Sequence, residues 1–359
     1  MIRVNSAELA KAVGRILPAV STKSVLPALE CVLLEAKGGR LTLTASDLSM
    51  TIKVSLTCEG DGDALLPART FLELLKSLPD APVDIENLSD YKVSVTTDNG
   101  SYKLNGEKPG DFPAIKTPEA DIVTIHGGML SHVIRAVAFC ASTDEDKGAL
   151  CGVFIQSDGS VCATDAHRLS ATTFGRNLGF DILIPRKSAE AVAKLFDGTG
   201  DIDMATDGKH AMFRGNDVTV LSRLIDQKFP DYKAIIPALD GKTVVAFDIQ
   251  EMKSALRRAG LFANETSKQV AVHAKDGCLT LVADNIDFGR GCTERVVADI
   301  QGEGVSIGFN AGYLAEVLGN IPGLHAKMYL ESPARAAVII GDDTPESLSL
   351  VMPVMMNGN

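Results

Sequence analysis

Ala163-Thr164-Asp165-Ala166-His167-Arg168-Leu169-Ser170 lies near the middle of a 359-residue chain and has two weaker echoes, Ala45-Ser46-Asp47-Leu48 and Ala283-Asp284-Asn285. Each follows a short alternating run (Leu41 to Thr44, Ser160 to Cys162, Cys278 to Leu281), so a strand followed by a polar loop recurs about every 120 residues, which marks internal repetition. Asp47, Asp165 and Asp284 are 118 and 119 residues apart.

The surrounding segments recur in the same order. Ser6 to Leu17 reads as a capped amphipathic helix ended near Pro18, with Leu9, Val13, Ile16 and Leu17 on its apolar stripe and Lys11 and Arg15 on another face. Strand-like runs follow at Cys31 to Leu34, Leu41 to Thr44 and Thr51 to Leu56, then a second helix over Thr70 to Leu78 and a strand at Lys92 to Thr96. The middle of the chain replays this with helices at Met129 to Ala138 and from Arg186 through Phe196. The last third does so with Ile249, Met252 and Leu256 on one helix and Asn310 to Leu318 as the next. Leu9, Leu130 and Met252 are 121 and 122 residues apart. Three copies of one α+β domain, over 1–119, 120–241 and 242–359, fit this better than unrelated domains.

Composition bounds the class. A hydrophobic content of 45% suffices for packed cores, and the net charge of −11 argues against nonspecific coating of nucleic acid while leaving open a locally basic surface. The seven cysteines are scattered and lack paired spacing, so they read as small buried hydrophobes, with no disulfide frame or zinc site. No leader-like or membrane-spanning apolar run is present, which predicts a cytoplasmic protein without a membrane partner.

The order Thr-Asp-Ala-His-Arg-Leu (164–169), Pro-Arg-Lys (185–187), Lys-Phe-Pro-Asp-Tyr (228–232), Phe-Asn-Ala-Gly-Tyr-Leu (309–314) and Val-Met-Pro-Val (351–354) resembles the bacterial DNA polymerase III beta subunits, the replication sliding clamps. The resemblance covers essentially the whole chain. It implies three sliding-clamp domains with helices lining a ring and antiparallel sheets outside, closed head to tail as a homodimer around duplex DNA. No catalysis and no cofactor are implied. A packing estimate agrees: six helices with axes ~9 Å apart enclose a circle only ~17 Å across, whereas twelve leave a clear hole of ~24 Å after subtracting a helix width. Two chains are therefore needed to encircle a duplex.

Sequence-independent contact with phosphates needs positive charge and no base-reading geometry. The candidates are Lys11, Arg15, Lys76, Arg135, Lys194, Lys253 and Arg257 on helices, with Arg69, Arg186 and Lys187 at helix starts. Lys23 and Lys147 match positions where the family's loops touch DNA, although Asp144, Glu145 and Asp146 flank the second. The plainer alternative for each is a solvated surface cation. By the same resemblance, a partner groove is expected from Thr164, Ala166, His167, Arg168, Leu169, Pro230 and the carboxy-terminal Pro353 and Val354. Leu150, Leu169, Ile235, Val338, Leu350, Val351 and Met352 would form its apolar slot, with Arg168 orienting the peptide. Its occupants would be short peptides of the polymerase III catalytic subunit, the clamp loader, and other polymerases and repair proteins. The alternative for Val351 and Met352 is ordinary core. Ala166 stands where the family usually has glycine, Ala234 where a basic residue occurs, and Met355 to Asn359 extend beyond the usual end. Leu104, Leu261 and Phe262 match the apolar centre of the dimer contact; for Leu261 and Phe262, burial within their own domain is the alternative.

Two other classes compete. Asp165, His167 and Ser170 contain the parts of a hydrolytic triad, but side chains of one short loop rarely converge on a common atom and no nucleophile elbow is present. Asp201 to Gly208 resembles a calcium loop superficially, yet Ala205 supplies no ligand and the closing glutamate is missing. A non-catalytic scaffold unrelated to DNA is the other rival, against which the basic helix faces count.

Overall fold

The structure, a computed structural model, describes residues 1–113, 117–118, 122–285 and 288–356. Within these residues one order of elements runs three times. The first pass is β1 (Ile2–Asn5), α1 (Ser6–Ile16), β2 (Cys31–Lys37), β3 (Arg40–Ser46), β4 (Met50–Thr57), β5 (Gly62–Pro67), α2 (Ala68–Ser77), β6 (Pro82–Asn87), β7 (Lys92–Thr97) and β8 (Gly100–Asn105). The second is β9 (Val123–His126), α3 (Gly127–Ala138), β10 (Gly152–Ile155), β11 (Ser160–Thr164), β12 (Arg168–Thr173), β13 (Ile182–Pro185), α4 (Arg186–Leu195), β14 (Asp201–Thr206), β15 (His210–Arg214) and β16 (Val218–Arg223). The third is β17 (Thr243–Asp248), α5 (Ile249–Gly260), β18 (Gln269–Lys275), β19 (Cys278–Asn285), β20 (Arg290–Gln301), β21 (Val305–Asn310), α6 (Ala311–Asn320), β22 (His325–Leu330), β23 (Ala337–Gly341) and β24 (Leu348–Val351).

Each pass supplies two four-stranded antiparallel groups. In the first they are β1-β6-β7-β8 and β5-β2-β3-β4, and the other passes repeat the pattern strand for strand. Successive passes are joined edge to edge. β4 pairs with β16, with Ile52 opposite Val220, and β12 pairs with β24, with Leu169 opposite Leu350. Because sheets run through these junctions, the compact units do not follow the repeats. One comprises Met1–Ser131 with Glu190–Leu224, the other His132–Ala189 with the chain from Ile225 onward.

The helices form for local reasons. Asn5, the residue before α1, accepts from the backbone N–H of Ala7 and Glu8, and Asp248 and Asn310 cap α5 and α6 in the same way. The cap expected at Ser6 is therefore one residue earlier, and the Ser6 hydroxyl instead donates to the Pro79 carbonyl. α1 stops at Ile16, and Pro18 falls in a following 3₁₀ turn, where a missing N–H costs nothing. α2 begins at Ala68 rather than Thr70, so Arg69 lies inside it. Leu9, Leu130 and Met252 each hold the fourth position of the first helix of a pass, and each is fully buried. Burying such a side chain stabilises by about 1.5–3 kcal/mol relative to leaving it in water, which is why the spacing persists.

Candidate functional site

The Ala163 to Ser170 stretch is a tight β-hairpin, with only Asp165, Ala166 and His167 outside β11 and β12. The Thr164 hydroxyl donates to the Arg168 carbonyl at 2.7 Å and accepts from the Ala166 N–H at 3.1 Å. Asp165 Oδ1 accepts from the N–H groups of His167 and Arg168 at 2.9 and 3.0 Å. These bonds hold Ala166 at φ 77°, a left-handed conformation that disfavours a Cβ. Glycine there removes the Cβ penalty but loses chain entropy, so Ala166→Gly is expected to raise stability by about 1 kcal/mol or less in a denaturant titration.

The same turn, with the same bonds, closes β3 and β4 at Ser46, Asp47 and Leu48. It closes β14 and β15 at Thr206, Asp207 and Gly208. This third copy was hidden inside the calcium-like stretch, although its Thr-Asp-Gly was a readable signal. The Asp201–Thr206 part of that stretch is strand, and Asp203 is spent on Arg214 and Thr124. The expected echo at Asp284 is instead inside β19, opposite Gly291, and residues 286–287 beyond it fall outside the described residues. Among the described residues no group of His, Cys, Asp or Glu could hold a metal ion.

Arg168 departs from its expected role. Its side chain is 7% exposed and its donors are engaged: Nε with Asp165 Oδ2 at 3.1 Å, Nη1 with Glu316 Oε2 at 2.7 Å and Nη2 with the Phe139 carbonyl at 3.1 Å. The guanidinium also lies 5.0 Å from the Tyr313 ring centre and 5.7 Å from that of Phe139. Burial works against its charge, but the hydrogen bond to Glu316 and neighbouring charges outweigh it, so its pKa is raised. Arg168 therefore ties the hairpin to α6 and is not available to orient a peptide. Tyr313, Glu316 and Phe139 carried no individual sequence signal for this contact.

A triad is excluded by the same bonds. Asp165 is occupied by Arg168 and backbone N–H groups, and Ser170 Oγ donates to the Ala136 carbonyl at 2.7 Å. The His167 ring stacks on Tyr313 with centres 5.5 Å apart.

The residues expected in the slot differ in burial. Leu169, Val338 and Leu350 join one buried cluster with Phe229 and Tyr232. Phe229 stacks on Phe154 at 5.0 Å, so the exposed Pro230 sits between two anchored rings. Thr164 and Val351 are also buried, the latter paired with Arg168 and Ala337. Val351, expected in the slot, is thus fully buried within the chain, as is Val338. Met352, 45% exposed, donates its backbone N–H to the His167 carbonyl at 2.9 Å, and Val354 bridges to Gly308. Leu150 and Pro353 are half-buried; Ile235 is exposed and lies outside the cluster, as does Ala234 beside it. Residues 357–359 of the expected tail extension lie outside the described residues.

Lys11, Lys23, Arg69, Lys76, Lys187, Lys194 and Arg257 are exposed, and Lys253 is half-buried. Among the candidates engaged within the chain are Arg15, Arg186 and Lys147. Arg15 pairs with Asp217, Arg186 Nη1 donates to the Ala141 carbonyl at 2.9 Å, and Lys147 Nζ donates to the Asp165 carbonyl at 3.1 Å. Lys147 thus braces the hairpin; its flanking carboxylates do not hold it. Leu261 is 74% and Phe262 36% exposed, so neither is buried in its own domain, and Leu104 is half-buried on β8. Cys31, Cys140 and Cys162 are buried as expected, the other four are partly so, and all seven are free thiols. No described helix is long and apolar enough to cross a membrane.

A three-pass α+β fold with sheets paired edge to edge defines a class, and comparison places the chain in it. Models of the DNA polymerase III beta subunit N-terminal, central and C-terminal domains match residues 1–116, 124–231 and 233–355. The chain belongs to the DNA polymerase III beta subunit family. It is 28% identical over 370 residues to the beta sliding clamp of Caulobacter vibrioides, covering 98% of this chain and 99% of that one. With the Bacillus subtilis beta sliding clamp it shares 28% over 368 residues, covering 96% and 97%. Among solved structures, the Pseudomonas aeruginosa sliding clamp bound to griselimycin superposes with TM-score 0.93 at 26% identity, with 99% of each chain covered. The clamp of C. crescentus, at 27% identity and TM-score 0.89, covers the same shares.

Proposed function

We propose that this sliding clamp closes head to tail with a second copy around duplex DNA and tethers a polymerase through the groove beside the Ala163 to Ser170 hairpin. The observation that carries closure is a strand without its counterpart. The last strand of the second and third passes, β16 and β24, pairs with the fourth strand of the preceding pass, β4 and β12. By that rule β8 and β20 await partners: β8 pairs only with β7, and residues 290–297 of β20 pair only with β19 among the described residues. A second copy satisfies both, β20 of one against β8 of the other, and open edges are otherwise aggregation hazards. Leu104 on β8 and the exposed Leu261 and Phe262 supply the apolar centre of that contact.

DNA in this reading is held without sequence preference by Lys11, Lys23, Arg69, Lys76, Lys187, Lys253 and Arg257, and the domains run 1–119, 120–241 and 242–359. The first of these junctions falls outside the described residues. The clamp loader and other clamp-binding polymerases and repair proteins share the groove, whose rim is His167, Tyr313, Met352 and Pro353 over the Leu169, Val338 and Leu350 floor. Met352 suits several partners because its side chain repacks cheaply. The clamp is non-catalytic and works in the compartment of the chromosome, the cytoplasm.

Ending the chain at Val351 keeps β24 but removes the Met352 and Val354 contacts. Affinity for a short clamp-binding peptide, read by fluorescence anisotropy, is expected to fall at least about tenfold with the dimer intact. Unchanged affinity would remove the groove assignment.

A further inference from the structure

The methionines divide by exposure. Met50, Met204, Met212, Met252 and Met328 are at most 3% exposed, as expected of adaptable side chains that fill core gaps. Met352, Met355 and Met356 instead gather just after β24, where Met352 is 45% and Met355 77% exposed. The segment that carries them is pinned. The Met352 N–H donates to the His167 carbonyl at 2.9 Å, and the Val354 N–H donates to the Gly308 carbonyl at 2.8 Å. A Cβ added at Gly308 would lie 2.5 Å from the Val354 carbonyl oxygen, so this segment rests directly on β21.

Thioethers held in the open are targets for two-electron oxidants, and most of the cysteines compete poorly for them. Burial, joined by nearby carboxylates at Cys58, Cys151 and Cys292, raises the thiol pKa at those three positions. Burial does the same at Cys140 and Cys162 and pushes Cys31 up to about 12. A thiol that stays protonated reacts slowly with peroxide, because the thiolate is the nucleophile. A thioether has no proton to lose, so its exposure decides.

We infer that Met352 and Met355 form a reversible oxidation site, at which a peroxide converts the thioethers to sulfoxides and closes the groove to peptides. The loss of peptide binding rests on the proposed groove; the selective oxidation does not. The sulfur lone pair attacks one oxygen of hydrogen peroxide, and an S–O bond forms as the O–O bond breaks. The proton on the transferred oxygen passes to the departing hydroxide, which leaves as water. Sulfur is oxidised and peroxide reduced. A dithiol reverses the step through a methionine sulfoxide reductase: the sulfoxide oxygen leaves as water and the dithiol becomes a disulfide. The sulfoxide oxygen is a strong acceptor solvated by water. An apolar peptide anchor seated against Met352 strips that water and supplies no donor in its place.

The test treats the full-length protein with hydrogen peroxide, maps sulfoxides by mass spectrometry and reads affinity for a short clamp-binding peptide by fluorescence anisotropy. Met352 and Met355 are expected to oxidise at least about tenfold faster than the buried methionines, and peptide affinity to fall at least about tenfold. Reductases for both sulfoxide epimers, supplied with a dithiol, should restore it. In Met352→Leu combined with Met355→Leu, affinity before and after peroxide should agree, whereas Met129→Leu, at an exposed methionine on α3, should keep the wild-type loss. A loss that persists in the double variant would overturn the inference, as would oxidation no faster at Met352 and Met355 than in the core. Sulfoxides at both positions with unchanged affinity would overturn it too, and would leave the groove standing if the chain ended at Val351 still loses affinity. Unchanged affinity in that shortened chain would strike the groove, and its closure by oxidation with it.

Discussion

Replacing Arg168 by methionine is expected to lower stability by about 3–5 kcal/mol, the cost of stranding one member of a buried ion pair. The partner left behind is Asp165, 11% exposed, which would keep two backbone N–H donors but lose the cation that pairs with its carboxylate. Methionine fills similar volume, so the loss is electrostatic rather than a cavity. Glu316, the other carboxylate on Arg168, is 47% exposed, and water can solvate it once the pair is broken. Glu316→Gln should therefore cost only about 1 kcal/mol or less. The contrast between the two, in denaturant unfolding, is the check. Equal effects would mean that Arg168 is held by its aromatic neighbours Phe139 and Tyr313 and not by Asp165. Because Met352 bonds to the His167 carbonyl inside this hairpin, the Arg168 variant should also lose peptide affinity.

The second large effect concerns closure. Leu261→Asp combined with Phe262→Asp is expected to raise the dimer dissociation constant at least about a thousandfold, since two carboxylates would be desolvated in an apolar contact. Both residues are exposed within the chain, so the monomer should keep its circular dichroism and its melting behaviour. Sedimentation over a concentration series reads the shift. A dimer that persists would contradict the placement of Leu261 and Phe262 in the contact, and with it the pairing of β20 with β8.

Much of the fold was legible because burial has a period. Leu9, Leu130 and Met252 fall at one position of three helices, and alternation in runs such as Leu41 to Thr44 marked the strands. The third copy of the turn was overlooked because Asp207 reads alike as a ligand and as a turn former, and only its backbone bonds decide between them. That Leu169, Val338 and Leu350, the proposed floor of the groove, share one cluster could not be read from spacing, since residues so far apart in sequence meet only through strand register. The role of Arg168 was not legible. An arginine in a polar turn reads as exposed, and its burial depends on Glu316 and Phe139 arriving from other elements. Lys147 illustrates the converse: its acidic neighbours in sequence suggested neutralisation, yet its ammonium finds a carbonyl 18 residues away.

Encirclement is tested most directly by loading the purified protein onto a nicked circular duplex with a compatible clamp loader and ATP, then cutting the circle. A closed ring is retained on the circle by topology, so linearisation should release it from the ends at a salt concentration that suppresses ordinary phosphate contacts. Release on cutting is the predicted result. Equal retention on circle and linear duplex would mean surface binding and would contradict the closed ring.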